Sequence, residues 1–454
     1  MSDPAAPISP AKHDPFAAMR HANYRLFAAG FLVSGLGLQM LAMALAWEIY
    51  ERTNDPLALG IIGLARALPV LLMALPAGYV IDSFDRRRVL VLTQAGFAVA
   101  CVALAAASWS VASLWAIYLI VTLSGCVRSF NGPTRSSLLP DLVPPEDFQS
   151  AVTWNSGIFQ VSAIAGPLFA GLIISSTGVA WPVYLIAGIL CAAFSATALG
   201  LRPLHAHAPG SRVSLGGMFA GMSHLWREKT ILAAITLDLF AVLLGGATAL
   251  LPLFAKDVLE VGPVGLGWLK AAPYLGAAAM AVVLARRPLQ RHAGPKMLWS
   301  VAGFAVCIIV FGLSTSFWLS LAALVLSGAF DNISVVIRHV LVQVRTPRHL
   351  RGRVSAVNSV FIESSNELGN FESGAVARLA APWFGAVGGA VFSVVSGGLG
   401  SLLVVGAVAW LIPAIRRLDR LNETSSSRGS GSPASETTGP TGPTGPGVAS
   451  SADA

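Results

Sequence analysis

The feature that most constrains this chain is a series of apolar segments, each about 20 residues long, that recurs along almost its whole length. A helix of about 20 apolar residues crosses roughly 30 Å of hydrocarbon. Strands of a membrane barrel need only about 10 residues and alternate polar with apolar side chains, and the segments show no such alternation. We therefore predict twelve membrane-spanning helices, at about 26–50, 58–81, 88–108, 112–134, 151–174, 178–201, 231–255, 264–285, 296–314, 317–343, 355–379 and 384–413.

The composition excludes several other classes of protein. Only 11% of the residues are charged and 55% are hydrophobic, whereas soluble domains carry about 25% charged residues. The chain has no Gly-rich phosphate loop ending in Gly-Lys-Ser/Thr, no HExxH metal motif and no CxxC pair. Its basic residues form no single patch for nucleic acid. We expect no metal, no cofactor, no nucleic acid and no enzymatic activity.

The basic residues fall mainly in alternate loops, which predicts the orientation of the chain in the membrane. The opposite loops hold little beyond Arg52 and Lys256. By the positive-inside rule both termini are cytoplasmic, and the first apolar segment, which lacks a cleavage site, stays as a span. The predicted location is the cytoplasmic (inner) membrane. The cytoplasmic set is Arg86, Arg87, Arg88, Arg202, Arg212, Arg227, Lys229, Arg286, Arg287, Arg291, Lys296, Arg345, Arg348, Arg351, Arg353, Arg416, Arg417 and Arg420.

A long polar interruption divides the predicted spans six and six. The expected domains are a cytoplasmic N-terminal tail (1–25), a six-helix bundle (26–201), a cytoplasmic central loop (202–230), a second six-helix bundle (231–415) and a cytoplasmic tail (416–454). The last segment is rich in Ser, Gly, Thr and Pro, a composition typical of disorder.

The two bundles repeat each other weakly in sequence. A shift of about 203 residues places Arg135 over Arg338, and the related stretches "LSGCVRSFN" and "LSGAFDNIS" place Arg128 opposite Asp331. A nearby register places "RALP", beginning at Arg66, over "KAAP", beginning at Lys270. Parallel repeats of six helices are typical of transporters that rock two halves around a site at mid-membrane.

Three groups of residues resemble the major facilitator superfamily, over roughly residues 20–415. The first is "GYVIDSFDRRR", which is similar to the family's cytoplasmic gating motif through Gly78, Asp82, Arg86 and Arg87 and departs from it at Ser83 and Asp85. The resemblance implies twelve helices in two pseudo-symmetric bundles. It also implies that Asp82 and Arg86 help to close the cytoplasmic side, because a carboxylate near a helix N-terminus stabilises that closed state.

The second group lies in the fifth span and comprises Gly157, Gly166, Pro167 and Gly171. It resembles the motif of the superfamily's antiporter branches, which favours export. The alternative is ordinary small-residue packing between helices. The third group comprises 47–82, 250–277 and 345–357, which resemble the branch of multidrug, macrolide and siderophore exporters.

Charges within the spans are the candidates for coupling, because an unpaired charge at mid-bilayer costs about 2.5–3.5 kcal/mol. The resemblance implies that the first, fourth, seventh and tenth helices line a central cavity. Our hypothesis is that Asp331 releases its proton beside Arg128 and binds one when the two separate. The alternatives are a permanent ion pair between them, or Asp238 as the proton carrier.

Two further carboxylates, Glu363 and Glu367, share one face of the eleventh helix at i, i+4 spacing. They are either proton carriers or partners of Arg66 or Lys270. The predicted contacts of the substrate are Gln39, Trp47, Glu48, Arg128 and Asn332.

The sequence thus predicts a proton-coupled exporter of a small amphipathic molecule, working as a monomer in the lipid bilayer by alternating access. The alternatives are an exporter of an endogenous metabolite such as a siderophore, an uptake permease, and a membrane receptor that does not transport.

Overall fold

The computed structural model describes residues 14–202, 228–287, 292–347 and 351–416. The predicted disordered tail and most of the predicted central loop lie outside these residues. Every regular element in the described part is helical, as the twelve apolar segments require. The helices are α1 (Ala22–Thr53), α2 (Pro56–Ser83), α3 (Arg86–Trp109), α4 (Leu114–Leu138), α5 (Phe148–Thr177), α6 (Trp181–Ala198), α7 (Lys229–Leu244), α8 (Gly262–Arg286), α9 (Ala293–Leu313) and α10 (Phe317–Arg345).

The last two helices form one helical stretch, Arg351–Leu411, that leaves helical geometry at Gly385. This residue has φ 75° and ψ 172°, a conformation that glycine adopts without strain from a side chain. We call the part before it α11 (351–384) and the part after it α12 (386–411). The described residues therefore contain eleven helical stretches that are long and apolar enough to cross a membrane, and one of them, Phe361–Leu411, contains two spans.

The seventh span differs from the continuous helix predicted at 231–255. Helix α7 ends at Leu244, and the chain continues as a 3-10 turn (Ala247–Ala249), a short helical turn (Leu251–Leu253) and a π-helical turn (Phe254–Val258). The break begins at two successive glycines, Gly245 and Gly246, which disfavour helix, and Pro252 lacks the amide proton that a continuous ladder needs. Hydropathy alone does not register this interruption.

The helices pack as two halves, α1 to α6 and α7 to α12. Within the first half α1 packs on α5 and α6, and α3 packs on α4 and α6; within the second, α10 packs on α8 and α9. Across the halves α2 packs on α11, and α5 packs on α8. The prediction of an all-α membrane protein with twelve helices in two six-helix bundles is confirmed.

Two faces of the bundle are needed to describe the site. We call the face at which α1 begins the near face, and the face at which α1 ends and α2 begins the far face. Exposed tryptophans lie at the helix ends on both, as expected of side chains that anchor at a membrane surface. Trp109, Trp115, Trp318 and Trp383 mark the far face, and Trp299 and Trp410 mark the near face.

Part of the predicted N-terminal tail packs on the near face. The indole of Trp154 donates a hydrogen bond to the carbonyl of Pro15 (2.9 Å), and its ring lies 5.5 Å from that of Phe16. Ser150 donates to the same carbonyl (2.8 Å), and Ala18 is fully buried. The chain is therefore held against α5 before α1 begins.

Candidate functional site

Polar contacts join the two halves at the far face. The hydroxyl of Tyr50, at the end of α1, donates a hydrogen bond to the carboxylate of Asp257 in the π-helical turn. Lys256, beside it, donates to the side-chain oxygen of Asn54 (2.8 Å) and lies 5.7 Å from the centre of the Tyr50 ring. The break in the seventh span thus supplies the residues that close this face.

Close backbone packing reinforces the same end of the molecule. A Cβ added at Gly171 would lie 2.5 Å from the carbonyl oxygen of Pro263, and one added at Gly267 would lie 2.7 Å from that of Pro167. These contacts bring α5 against α8 with almost no side chain between them. Two residues of the predicted antiporter-type motif, Pro167 and Gly171, therefore lie at the contact between the halves.

The other two residues of that motif have different surroundings. Gly166 packs inside the first half, where an added Cβ would lie 2.5 Å from the Cβ of Gln39 on α1. Gly157, closer to the near face, is exposed, and nothing lies within 4 Å of where its Cβ would be. Thr153 and Ser156, also on α5, are exposed as well. Helix α5 is thus packed toward the far face and open toward the near face.

The transition between packed and open ends lies at mid-membrane. The side-chain amide of Gln160 on α5 donates to the carbonyl of Tyr274 on α8. The rings of Phe159 and Tyr274 lie 6.2 Å apart, edge to face. On the near side of this contact the described residues of α5 that face α8 are exposed, and we call this loosely packed region the opening.

Charged side chains from both halves meet at this level. Arg66 on α2 and Lys270 on α8 both interact electrostatically with Glu367 on α11. Arg128 on α4 acts on Arg66, and Arg128 and Asp331 both act on Tyr274. Among the described residues none of these five charged side chains forms a direct ion pair. We call Arg66, Arg128, Lys270, Asp331 and Glu367 the central charge cluster.

Arg128 and Asp331, predicted to meet across the pseudo-twofold axis, are separate in this structure. Arg128 is exposed and Asp331 is half-buried. The predicted alternation between pairing and separation requires a second conformation, so the coupling role of Asp331 stays a prediction. Asn332, the next residue, is half-buried, and its side-chain oxygen has no hydrogen-bond partner among the described residues.

The two carboxylates of α11 have different neighbours. Glu363 is exposed and interacts electrostatically with Arg135 on α4. Glu367 is half-buried and accepts a hydrogen bond from the amide of Asn370 (3.3 Å), whose oxygen accepts one from Thr248 (3.3 Å). The break in the seventh span therefore also helps to hold Glu367.

Asp238 is committed to a partner within the second half. It forms an ion pair with Arg338 on α10, and the two side chains are 7% and 3% exposed. The opposite charges of the two side chains are balanced within the buried interior of the second half. This arrangement suits a structural role, and the alternative role of Asp238 as a proton carrier stays a prediction.

Glu48 is also held inside its own half. Its carboxylate lies 2.5 Å from the guanidinium of Arg52 and accepts a hydrogen bond from Tyr184 (2.5 Å). Arg52 also donates to the carbonyls of Ala112 (3.1 Å) and Ser108 (3.2 Å). Glu48 is 6% exposed, and so is the adjacent Trp47, whereas Gln39 is half-buried. Neither Glu48 nor Trp47 is presented to the opening in this conformation.

The basic residues of the predicted gating motif contact helix ends in the first half. Arg86 donates to the carbonyl of Ser137 (3.0 Å) and to Asp141 (2.9 Å), beyond the end of α4. Arg87 donates to the carbonyl of Ala198 (3.2 Å), at the end of α6. Cations at the C-terminal ends of helices are favourable. Asp85, where the family motif usually has glycine, caps α3 by accepting from the amide of Arg87 (2.9 Å).

The two remaining positions of the predicted gating motif are Gly78 and Asp82. Gly78 is half-buried in the last part of α2. The side chain of Asp82 lies outside the described residues, so its predicted gate role stays a prediction. No group of three or more His, Cys, Asp or Glu side chains suited to a metal occurs in the part of the chain that the structure describes.

Sequence reasoning missed the far-face contacts. Nothing in the sequence singles out Tyr50 or Asp257, which lie at predicted helix ends. Lys256 stands out only as a basic residue in a loop on the side opposite to the cytoplasmic basic residues. A usable signal was present in Gly245, Gly246 and Pro252, which together mark a broken span. A broken helix at mid-membrane depth is tolerated where it is buried in protein or lines a cavity.

Two repeated six-helix halves, closely packed toward one face and, among the described residues, loosely packed toward the other around embedded charges, are typical of a secondary membrane transporter. The family model "Major Facilitator Superfamily" matches residues 27–370. The chain belongs to this superfamily of transporters and is a multi-pass membrane protein, not an enzyme.

Relatives across most of the chain agree with this assignment. The multidrug efflux pump Tap of Mycolicibacterium fortuitum is 28% identical over 409 residues, covering 87% of this chain and 96% of that protein. The enterobactin exporter EntS of Shigella boydii is 23% identical over 396 residues, covering 86% and 92%. Among solved structures, the nucleoside transporter NupG matches with a TM-score of 0.67 at 13% identity, covering 86% of this chain and all of that one. A bacterial homologue of the lysosomal transporter Spinster, in an inward-facing and occupied conformation, matches with a TM-score of 0.66 at 14% identity, covering 89% and 98%. These two likenesses show the fold.

Proposed function

We propose that this protein is a proton-coupled exporter that moves a small amphipathic, drug-like molecule out of the cytoplasm by alternating access. The observation that carries the proposal is the central charge cluster, in which the carboxylates of Asp331 and Glu367 lie at mid-membrane without a direct ion pair. Such carboxylates are free to change protonation as their surroundings change. The names of the relatives, a multidrug efflux pump and an enterobactin exporter, support export.

The geometry suggests how the cycle runs. With the near face cytoplasmic, as the basic loops predict, the present conformation admits substrate from the cytoplasm to the level of Tyr274. Binding there favours proton loss from Asp331 toward the open side. Closure of the near face and parting of the far-face contacts then release the substrate outside, where the carboxylate binds a new proton. Differential affinity for the two conformations provides the coupling.

The coupling ion is thus the proton, and no other cofactor is required. The protein works as a monomer in the cytoplasmic (inner) membrane with both termini cytoplasmic. The second candidate function is export of an endogenous siderophore, which the likeness to the enterobactin exporter favours.

The test uses everted membrane vesicles with an imposed pH gradient and a pH-sensitive dye. A panel of lipophilic drugs and siderophores is added to vesicles that contain the wild type, Asp331→Asn or the control Glu146→Gln, which changes an exposed loop carboxylate. We expect at least one compound to collapse the gradient in the wild type and the control but not in Asp331→Asn.

Other outcomes discriminate among the alternatives. An equal response from Asp331→Asn would mean that Asp331 is not the proton-binding carboxylate. Glu367 is then the next candidate, and Glu367→Gln tests it in the same assay. A response to siderophores alone would favour the metabolite exporter. No response to any compound in the wild type would reject the drug exporter.

A further inference from the structure

Two cations from opposite halves extend to the same level of the molecule. Arg66 lies one helical turn after Gly63, where an added Cβ would lie 2.6 Å from the carbonyl oxygen of Glu367. Lys270 lies one turn after Gly267, which packs on the carbonyl of Pro167. Residues three apart share a helix face, so each cation continues a face that is packed against the other half. Both side chains are half-buried at the point where that packing ends.

The negative charge at this level does not balance the positive charge. The central charge cluster contains three cations, Arg66, Arg128 and Lys270, and two carboxylates, Asp331 and Glu367. Elsewhere in the described spans Arg338 pairs with Asp238, Arg52 pairs with Glu48, and Arg135 interacts with Glu363, whereas Glu372 accepts a hydrogen bond from the neighbouring Ser373 (3.3 Å). Within the cluster itself, positive charges therefore outnumber negative charges by one among the described residues.

Glu367 is shared by both cations and also accepts a hydrogen bond within its own helix. Arg66 and Lys270 each interact with it electrostatically, and neither forms a direct ion pair with it. Asn370, on the same helix, donates to its carboxylate and accepts a hydrogen bond from Thr248 of the seventh span. Because neither cation is in a direct ion pair with this carboxylate, each keeps charged donors for a second anionic group.

The chemistry of such a group follows from its surroundings. An unmatched cation at mid-membrane is costly unless an anion joins it. A guanidinium presents a planar pair of donors that fits the two oxygens of a carboxylate, and the lysine adds a point charge. The rings of Phe159 and Tyr274, in contact at the same level, provide an apolar and aromatic wall for the rest of the molecule.

We infer that Arg66 and Lys270 together bind the acidic group of an amphipathic, singly charged substrate, in competition with Glu367. This inference rests on the proposed export function and narrows its substrates to aromatic or lipophilic acids. Because the two cations belong to opposite halves, the bound acid bridges them, and Glu367 becomes the internal anion that the substrate displaces.

The test measures binding by the purified full-length protein in detergent, without a pH gradient. Thermal unfolding is followed by tryptophan fluorescence during titration with 1-naphthaleneacetate, its neutral amide 1-naphthaleneacetamide, the cation 1-naphthylethylamine, and acetate alone. Acetate distinguishes an amphipathic acid from any small anion. The variants are Arg66→Gln, Lys270→Gln, Glu367→Gln and the charge-retaining Arg66→Lys, with Arg88→Gln as a control because its side chain is 85% exposed.

We expect naphthaleneacetate to raise the unfolding temperature of the wild type and of Arg88→Gln more than the amide or acetate does. Loss of one charged hydrogen-bond donor should weaken acid binding about tenfold in Arg66→Gln and in Lys270→Gln. Arg66→Lys should keep the preference for the acid. Glu367→Gln should bind the acid more tightly, an effect of opposite sign that a loss of folding cannot produce.

The inference is overturned if the amine shifts the unfolding temperature most, if acid and amide are equal, if acetate alone reproduces the shift, or if none of the probes binds. Proton-linked export of a neutral or cationic drug in the vesicle assay would then leave the proposed function standing. Failure of the vesicle assay with intact acid binding would remove proton-coupled drug export and keep the acid site.

Discussion

The two halves of this transporter treat the same arginine differently. Arg338 in the second half forms a buried ion pair with Asp238, so its charge is neutralised inside its own half. Arg135, its counterpart in the first half, lies 4.1 Å above the ring of Phe31 and reaches electrostatically to Glu363 of the other half. A shift of 203 residues carries Asp238 onto Gly35, which has no side chain to pair with Arg135.

This difference shows that the repeat keeps an arginine at the same position in both halves while the interactions of that arginine differ. In the second half the position contributes to internal stability, because a buried charge needs a partner. In the first half the same position is stabilised by an aromatic face and leaves its charge to act between the halves. An interaction of that kind changes when the halves move, whereas the pair inside the second half moves as a unit.

The largest expected effect comes from breaking the pair in the second half. Asp238→Asn should lower the free energy of unfolding by about 3–5 kcal/mol, because it strands the buried guanidinium of Arg338. Thermal unfolding in detergent measures the loss. The double variant Asp238→Leu with Arg338→Met should recover most of it. If the double variant stays as unstable as the single one, the pair is not the structural element that we describe.

The matched change in the first half should cost less. Arg135→Gln removes a cation–π contact, worth about 0.5–2 kcal/mol, and strands no carboxylate in its own half. The same unfolding measurement should therefore place Arg135→Gln well above Arg338→Gln in stability. Equal losses in the two variants would contradict the asymmetry between the halves.

The smallest expected effect on stability concerns the link between the halves. Glu363 is exposed, so Glu363→Gln should change the unfolding free energy by no more than about 0.5 kcal/mol. Its effect on transport should be larger, and in a double-mutant cycle with Arg135→Gln the two effects on transport rate should not add. Additive effects would mean that the two residues act independently.

The fold followed from the sequence because span length and hydropathy depend on local composition. The division into two related six-helix halves also followed, since the repeat aligns Arg66 with Lys270 and Arg128 with Asp331. Gly245, Gly246 and Pro252 indicate the break after Leu244, whereas the hydropathy of the segment does not. Backbone hydrogen bonding, not apolarity, decides whether a span is continuous.

The partners of the embedded charges did not follow in the same way. Asp238 was assigned to the cavity from its helix alone, yet its direction on α7 turns it toward Arg338. Glu48 was assigned by the same reasoning and is taken up by Arg52 and Tyr184. Which face of a helix meets which neighbour is settled by packing over the whole bundle. A single sequence names the charged residues without pairing them.

The glycine contacts between the two halves have a consequence for the speed of transport. Backbone packed on backbone fits closely but buries little apolar surface. In a bilayer the hydrophobic effect does not drive helices together, because lipid tails are as apolar as the side chains. Gly63 on Glu367 and Gly171 on Pro263 therefore form a seam that seals well and parts at low cost. Interdigitated bulky side chains would close the contact equally well, but separating them in each transport cycle would cost more free energy. Contacts of this kind therefore suit a transporter whose two halves separate and close again during each transport cycle.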